Sequence, residues 1–289
     1  MIRGIFKTLR PKQWTKNGFI FAALIFDVKL FRVEPFIKTL LGFVLLCLIA
    51  GTIYLINDLV DIDKDRQHPT KKNRPIPSGK VPVKAAIIAA ILLPVICLPL
   101  GFWLDFYFGI VLAAYLVLEI IYSFLLKNIV IVDILTVAAG FVLRVAGGVA
   151  LVHAERFSPW LYVFTVLGAL FLVLGKRRTE LALLKERATN TRAILNEYNL
   201  AFLDEMMAVV TAGTVMTYAF YTFSAPNLPP NHLMMLTVPF VLYGIFRYLY
   251  IIHVKGDGGA PDEVLLTDRP LQISIVLFGL TVVAILYLA

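Results

Sequence analysis

The chain has 289 residues, 60% of them hydrophobic and 16% charged, with a mean hydropathy of +0.83 and a net charge of +8. A water-soluble domain of this size carries about a quarter charged residues, so the composition excludes an ordinary soluble enzyme and gives no reason to expect a nucleic-acid partner. Its two cysteines, Cys47 and Cys97, both fall in apolar runs and carry no disulfide or metal-site spacing.

The chain begins "MIRGIFKTLRPKQWTKN", basic and then apolar, which has the outline of a signal sequence. No small-residue cleavage site follows, so the first apolar run is read as a first membrane helix after a short interfacial segment. Nine such runs follow one another, at about 15–31, 36–60, 82–103, 106–125, 130–151, 158–175, 201–223, 232–252 and 270–288. Each is long enough to cross a bilayer core as a helix. Helix is expected because lipid offers no partners to free backbone groups, and no run shows barrel-like alternation. The fold predicted is all-α and polytopic, a single transmembrane domain spanning 1–289.

With nine spans, the N-terminus and the even-to-odd connections share one side. That side takes 21 of the 27 Lys and Arg; Lys29, Arg32, Lys38 and Arg156 lie opposite, and Arg144 and Arg247 fall within spans. The basic side is therefore expected to face the cytoplasm of a plasma membrane. A transporter is a competing class, since polar intramembrane residues mark ion paths. Against it, the charges crowd one side, and no inverted repeat with broken midplane helices is visible.

The charged connections carry the functional signal. At the start, Arg10, Lys12 and Lys16 flank Trp14, an ordinary interfacial anchor. The second span ends in "NDLVDIDKD", followed by "RQHPTKKNRPIPSGKVP". On a helix Asp58, Asp61 and Asp65 share one face, Asn57 borders it, and Asp63 points away. Three carboxylates on one stripe repel unless a cation neutralises them, and oxygen-only donors suit Mg²⁺. His68, Lys71, Lys72 and Arg74 can hold anions beside them. A diphosphate bound through Mg²⁺ on one side and cations on the other fits both halves.

Further along, Lys127 closes the fourth span with Tyr122 a little over one turn earlier, either as a snorkelling lysine or as a phosphate ligand. Asp133 and Arg144 are close to three helical turns apart and share a face, as a cavity wall or as groups beside a glycine-mediated packing seam. In "LGKRRTELALLKE", Lys176, Arg177 and Arg178 form a cationic run with Glu180 and Glu186, either an anion site or a membrane anchor. The last connection holds "GDGGAP", a turn suited to a lid, with Asp262, Glu263, Asp268 and Arg269 after it.

"NDLVDIDKD" has the N-D-x-x-D-x-x-x-D form of the UbiA-type intramembrane prenyltransferase superfamily, and "RPIPSG" resembles its following turn. The second aspartate-rich motif of most members is replaced here by the cationic run at 176–178. "RPKQWTKN", "YSFLLKN", "VDILTVAAGFVLRVAGG", "GKRRTEL" and "DGGAPDEVLLTDRPLQ" together resemble the polyprenyl-phosphate phosphoribosyltransferases, whose best-known members act on decaprenyl phosphate in arabinan precursor synthesis. The resemblance implies a helical bundle around a central cavity open to the cytoplasm, and transfer of phosphoribosyl from phosphoribosyl diphosphate to a membrane polyprenyl phosphate. It implies Mg²⁺ held by Asn57, Asp58, Asp61 and Asp65. Lys12, Lys16, Asn17, Lys71, Arg74, Tyr122, Lys127, Asp133, Arg144, Lys176, Arg177 and Arg178 are then candidate substrate ligands. Four phosphate groups in one reaction call for this many cations. The alternative within the superfamily is transfer from a prenyl diphosphate to an aromatic or quinone-precursor acceptor.

Overall fold

The computed structural model describes residues 1–67, 71–154, 158–187, 193–226, 228–256 and 261–288. His68, Arg156 and residues 257–260 of the expected lid lie outside the described residues, as do the side chains of Glu186, Asp262 and Glu263.

The described residues are predominantly helical, with no strand among them. In order it forms α1 (Ile2–Thr8), a 3₁₀ segment (Pro11–Phe21), α2 (Ala22–Phe26), α3 (Val33–Val60) and α4 (Ile62–Gln67). Then follow α5 (Val83–Leu104), α6 (Phe106–Phe124), α7 (Val132–Val152), α8 (Pro159–Arg187) and α9 (Leu200–Ser224). The chain ends with α10 (Val238–Tyr250), α11 (Pro261–Thr267) and α12 (Arg269–Leu288). Among the described residues eight helices are long and apolar enough to cross a membrane: α3, α5 to α9, α12, and the continuous stretch Leu233–Lys255 that contains α10. α5 shows the inside-out logic of such a protein. It buries Ala86, Cys97 and Gly101 and leaves Ile88, Ile91 and Val95 outward, a helix apolar all round as a lipid-facing span must be.

The expected first span at 15–31 is not one α-helix. The chain enters it through Arg10 at φ 51° and Pro11, runs as 3₁₀ helix to Phe21, continues for five residues as α2, and turns at Val28 with φ 53°. Tertiary contacts fix this path. Ile20 packs so closely on α7 that a Cβ at Gly148 would overlap its carbonyl. Lys29 then donates to the Val152 and His153 carbonyls (3.0 and 3.2 Å), capping the otherwise unpaired end of α7.

The contacts divide the chain into two compact units. The first comprises Met1–Leu24, Lys29–Phe124 and Leu143–His153; the second comprises Ile25–Val28, Leu125–Val142 and Ala154–Ala289. Ile20, Leu46, Ile49, Phe108, Leu112 and Leu151 centre the core of the first unit, and both cysteines lie buried there as free thiols. Ile134, Leu174, Leu203, Met207, Tyr248 and Ile251 centre the second.

Candidate active site

In the first unit the acidic motif sits where α3 gives way to α4. Asp61 leaves helical geometry (φ −94°, ψ 14°) and closes α3 with its amide on the Asn57 carbonyl (3.0 Å). Asp58 and Asp65 are 2% and 3% exposed. Carboxylates this buried must be paired, and arginine supplies the pairing. Arg74 Nη1 donates to Asp58 Oδ1 (3.1 Å) and to Asp65 Oδ2 (2.7 Å), so one nitrogen joins the two. Arg10 Nη2 also donates to Asp58 Oδ1 (2.8 Å), and Lys71 Nζ lies 3.9 Å from Asp65 Oδ1. The left-handed backbone of Arg10, unusual for a non-glycine residue, aims its guanidinium at Asp58, 4.4 Å over the Tyr54 ring. Lys7, Arg10, Asp58 and Arg74 line a cavity of about 270 Å³. Asp63, on the opposite helix face, is exposed and pairs with Arg66 at 3.3 Å.

A second polar network lies among the apolar helices of the same unit. Arg144, 7% exposed on α7, donates through Nε to Asn17 Oδ1 (2.8 Å) and through Nη2 to the Tyr115 hydroxyl (2.8 Å). Asn17 Nδ2 donates to Cys47 Sγ (3.2 Å), and Tyr115 is hydrogen-bonded to Glu119, which feels the charges of Arg144 and Lys16. Arg144 therefore points inward into a satisfied network, the arrangement a charged intramembrane side chain requires.

In the second unit Asp133 is fully buried. Its Oδ2 accepts from Arg177 Nε (2.9 Å) and its Oδ1 from the Tyr198 hydroxyl (2.7 Å), while Arg177 Nη1 reaches Glu180 Oε2 (2.7 Å). Tyr198 also accepts from the Ile131 amide (2.7 Å), a residue held at φ 67°. Burial, reinforced by the Asp133 carboxylate, pushes the Tyr198 hydroxyl up to about 12. Arg178 faces elsewhere, donating to Asp204 Oδ1 (2.6 Å) and the Ile252 carbonyl (3.2 Å). Lys176 lies 3.9 Å from Glu180. Near the last helix Arg247 grips Asp268 through two nitrogens (3.1 and 2.8 Å). That guanidinium holds the Asp268 carboxyl below the usual carboxylate range.

The sequence profile of the UbiA prenyltransferase family matches residues 19–263. The chain belongs to the UbiA prenyltransferase family. It is 35% identical to the decaprenyl-phosphate phosphoribosyltransferase of Mycolicibacterium smegmatis, over 99% of this chain and 93% of that one. The protein of the same name from Corynebacterium glutamicum is 34% identical, over 99% of this chain and 87% of its own. A UbiA homolog from Archaeoglobus fulgidus, solved with DMAPP and Mg²⁺, has the same fold, with a TM-score of 0.72 over 99% of both chains at 18% identity.

Against the sequence expectations for a UbiA-family chain, the structure joins Asp58, Asp65, Arg74 and Lys71 into one cluster, with Asn57 and Asp61 half-buried beside it. It joins Asn17 to Arg144 and places Lys16 near Glu119. Lys12 is exposed; Tyr122 and Lys127 are half-buried, at the end of α6 and in the turn that follows. Asp133 and Arg144, expected on one wall, belong to different units and different networks. The cationic run is not a single patch. Successive residues point about 100° apart on a helix, so Lys176, Arg177 and Arg178 separate, and both arginines are committed to carboxylates. Sequence reading passed over Lys7 and Arg10 as site residues, and over Tyr115, Glu119, Tyr198 and Asp204 altogether. The one available signal was Glu119, a lone carboxylate within an apolar run.

Among the described residues no three His, Cys, Asp or Glu side chains gather into a metal-binding group. The acidic cluster nevertheless fits Mg²⁺. Its donors are all oxygens, two carboxylates already converge on one cationic nitrogen, and Mg²⁺ is commonly held by one or two carboxylates with substrate phosphates completing its shell.

Proposed function

We propose that this protein transfers the 5-phosphoribosyl group of phosphoribosyl diphosphate to a membrane polyprenyl phosphate, decaprenyl phosphate in the named relatives, releasing diphosphate. The observation that carries the reading is the cavity around Asp58, where a buried carboxylate that can serve a metal shares its walls with Lys7, Arg10 and Arg74. Such a place suits a metal-bound diphosphate. Similarity over nearly the whole chain to proteins named for this reaction supports it.

In this reading Asn57, Asp58, Asp61 and Asp65 hold Mg²⁺, which when bound offsets charge on the donor's diphosphate. Arg10, Arg74 and Lys7 contact diphosphate oxygens and stabilise the negative charge that grows as the bond to the anomeric carbon breaks. The lipid phosphate is already anionic near neutral pH, so its oxygen forms the new bond to that carbon without a strong base. Catalysis is then mostly positioning and electrostatic stabilisation. Arg144, Asn17 and Lys16, with Asp133 and Arg177, serve as further ligands or as supports for them. The reaction takes place at a plasma membrane, with the acidic cluster toward the cytoplasm as the Lys and Arg distribution supports.

The test is turnover in membranes containing the protein, supplied with labelled phosphoribosyl diphosphate and decaprenyl phosphate. Label should pass into the lipid phase with stoichiometric diphosphate release, and Asp58→Asn should lower the rate by about 100-fold or more. Absence of lipid-phase label, or a fully active Asp58→Asn protein, would overturn the reading.

A further inference from the structure

Arg10 stands at φ 51°, ψ 63° with Pro11 directly after it. A side chain disfavours that left-handed geometry, and a following proline favours extended backbone instead. Such a conformation persists only where its surroundings fix it. The turn closes with the Gln13 amide on the Arg10 carbonyl (2.8 Å), and both of its ends rest on one side chain of α3. The Arg10 guanidinium carbon lies 4.4 Å over the Tyr54 ring, and the Tyr54 hydroxyl donates to Gln13 Oε1. Tyr54 lies one helical turn before Asp58, so the two share a face of α3. Arg10 spans them, with the ring beneath its plane and Asp58 Oδ1 2.8 Å from Nη2.

These two contacts of Arg10 differ in what they consume. The bond to Asp58 occupies an N–H donor. A ring face occupies none, because it attracts the cation through its quadrupole and leaves the donors along the guanidinium edge to oxygens. In the function proposed above, Asp58 serves the metal and Arg10 the diphosphate, so donor binding displaces the Arg10–Asp58 bond. The ring contact survives that exchange.

We propose that Tyr54 is the positioning residue for Arg10. Its ring holds the guanidinium at the cavity while the N–H donors pass from Asp58 to diphosphate oxygens, and its hydroxyl, through Gln13, steadies the turn. The ring carries most of the effect, since the Gln13 end is already closed by a backbone hydrogen bond. This inference rests on the reading that Arg10 contacts the diphosphate.

The experiment measures turnover of phosphoribosyl diphosphate and decaprenyl phosphate by the full chain in proteoliposomes. The variants are Tyr54→Leu, Tyr54→Phe, Arg10→Ala and the pair Arg10→Ala, Tyr54→Leu. Tyr54→Leu should lower kcat/KM for the phosphoribosyl donor about tenfold and leave KM for decaprenyl phosphate unchanged. Tyr54→Phe, which keeps the ring, should stay within about threefold of wild type. In the Arg10→Ala background Tyr54→Leu should cost nothing further, because two changes acting through one group do not add. An undiminished kcat/KM in Tyr54→Leu, or a full tenfold loss in the Arg10→Ala background, overturns the proposal and leaves the Arg10 contact with diphosphate standing. No turnover by the wild type, or an undiminished rate in Arg10→Ala, removes that contact and the proposal with it. Should Tyr54→Leu not elute as the wild type does, fluorinated phenylalanines at position 54 decide with the shape kept. Fluorine draws electron density from the ring face, so kcat/KM should fall stepwise with each fluorine, and a flat series rejects the proposal.

Discussion

Arg177 and Asp133 are the most deeply buried ion pair in the second unit, with side chains 3% and 0% exposed. Taking two charges out of water is repaid only by good geometry and further hydrogen bonds, and here Tyr198, Glu180 and the Ile131 amide supply them. Removing one partner strands the other. Arg177→Ala should therefore destabilise the protein by about 3–5 kcal/mol, seen as a large fall in the detergent melting temperature. A joint Asp133→Leu, Arg177→Met replacement should recover much of that loss, since no buried charge remains. An unchanged melting temperature for Arg177→Ala would mean the pair is solvated in the membrane-embedded protein. The sequence marked Asp133 as a polar residue on an apolar helix and Arg177 and Arg178 as part of a cationic run at a membrane edge, and that much was legible. Their partners were not, because Tyr198, just before α9, and Asp204, early in α9, carry no signal until the fold brings them close.

At the scale of elements, α12 shows how a loop carboxylate starts a helix and ties it to a neighbour. Asp268 Oδ1 accepts the Leu271 amide (2.9 Å), a helix N-cap, while both its oxygens take Arg247 of α10. Because Arg247 depresses the Asp268 carboxyl, its contribution is present above the ordinary carboxylate value of 3.8 and fades as pH falls through the lower folded value. Asp268→Asn keeps an acceptor for the Leu271 amide and should cost up to about 1 kcal/mol at neutral pH through the lost ion pair with Arg247. It should also flatten the acid limb of a melting-temperature profile below pH 4; an acid limb identical to wild type would refute the linkage. Hydropathy located eight of the spans, since long apolar runs leave a helix no alternative in lipid. It misjudged 15–31, where length and apolarity suffice for a span but the close approach of Ile20 to α7 and the capping role of Lys29 dictate a broken 3₁₀ and α path.

For the whole molecule, the class of protein and the acidic motif could be read directly, the first from composition and the second from carboxylates spaced on one helix face. The division into two units could not, because it depends on α7 contributing its first half to one unit and its second half to the other. Nor could the contact of Asn17 with Arg144, 127 residues apart, or the recruitment of Arg10 through a left-handed backbone that no local signal announces. The central claim is that the cavity beside Asp58 receives a metal-bound diphosphate. Calorimetric titration of the purified protein with phosphoribosyl diphosphate, with and without Mg²⁺, measures this most directly. Binding should require Mg²⁺ and should weaken at least tenfold in Asp58→Asn and in Lys7→Ala, both retaining the wild-type elution profile. Binding of equal strength without the metal, or undiminished in Asp58→Asn, would contradict the account.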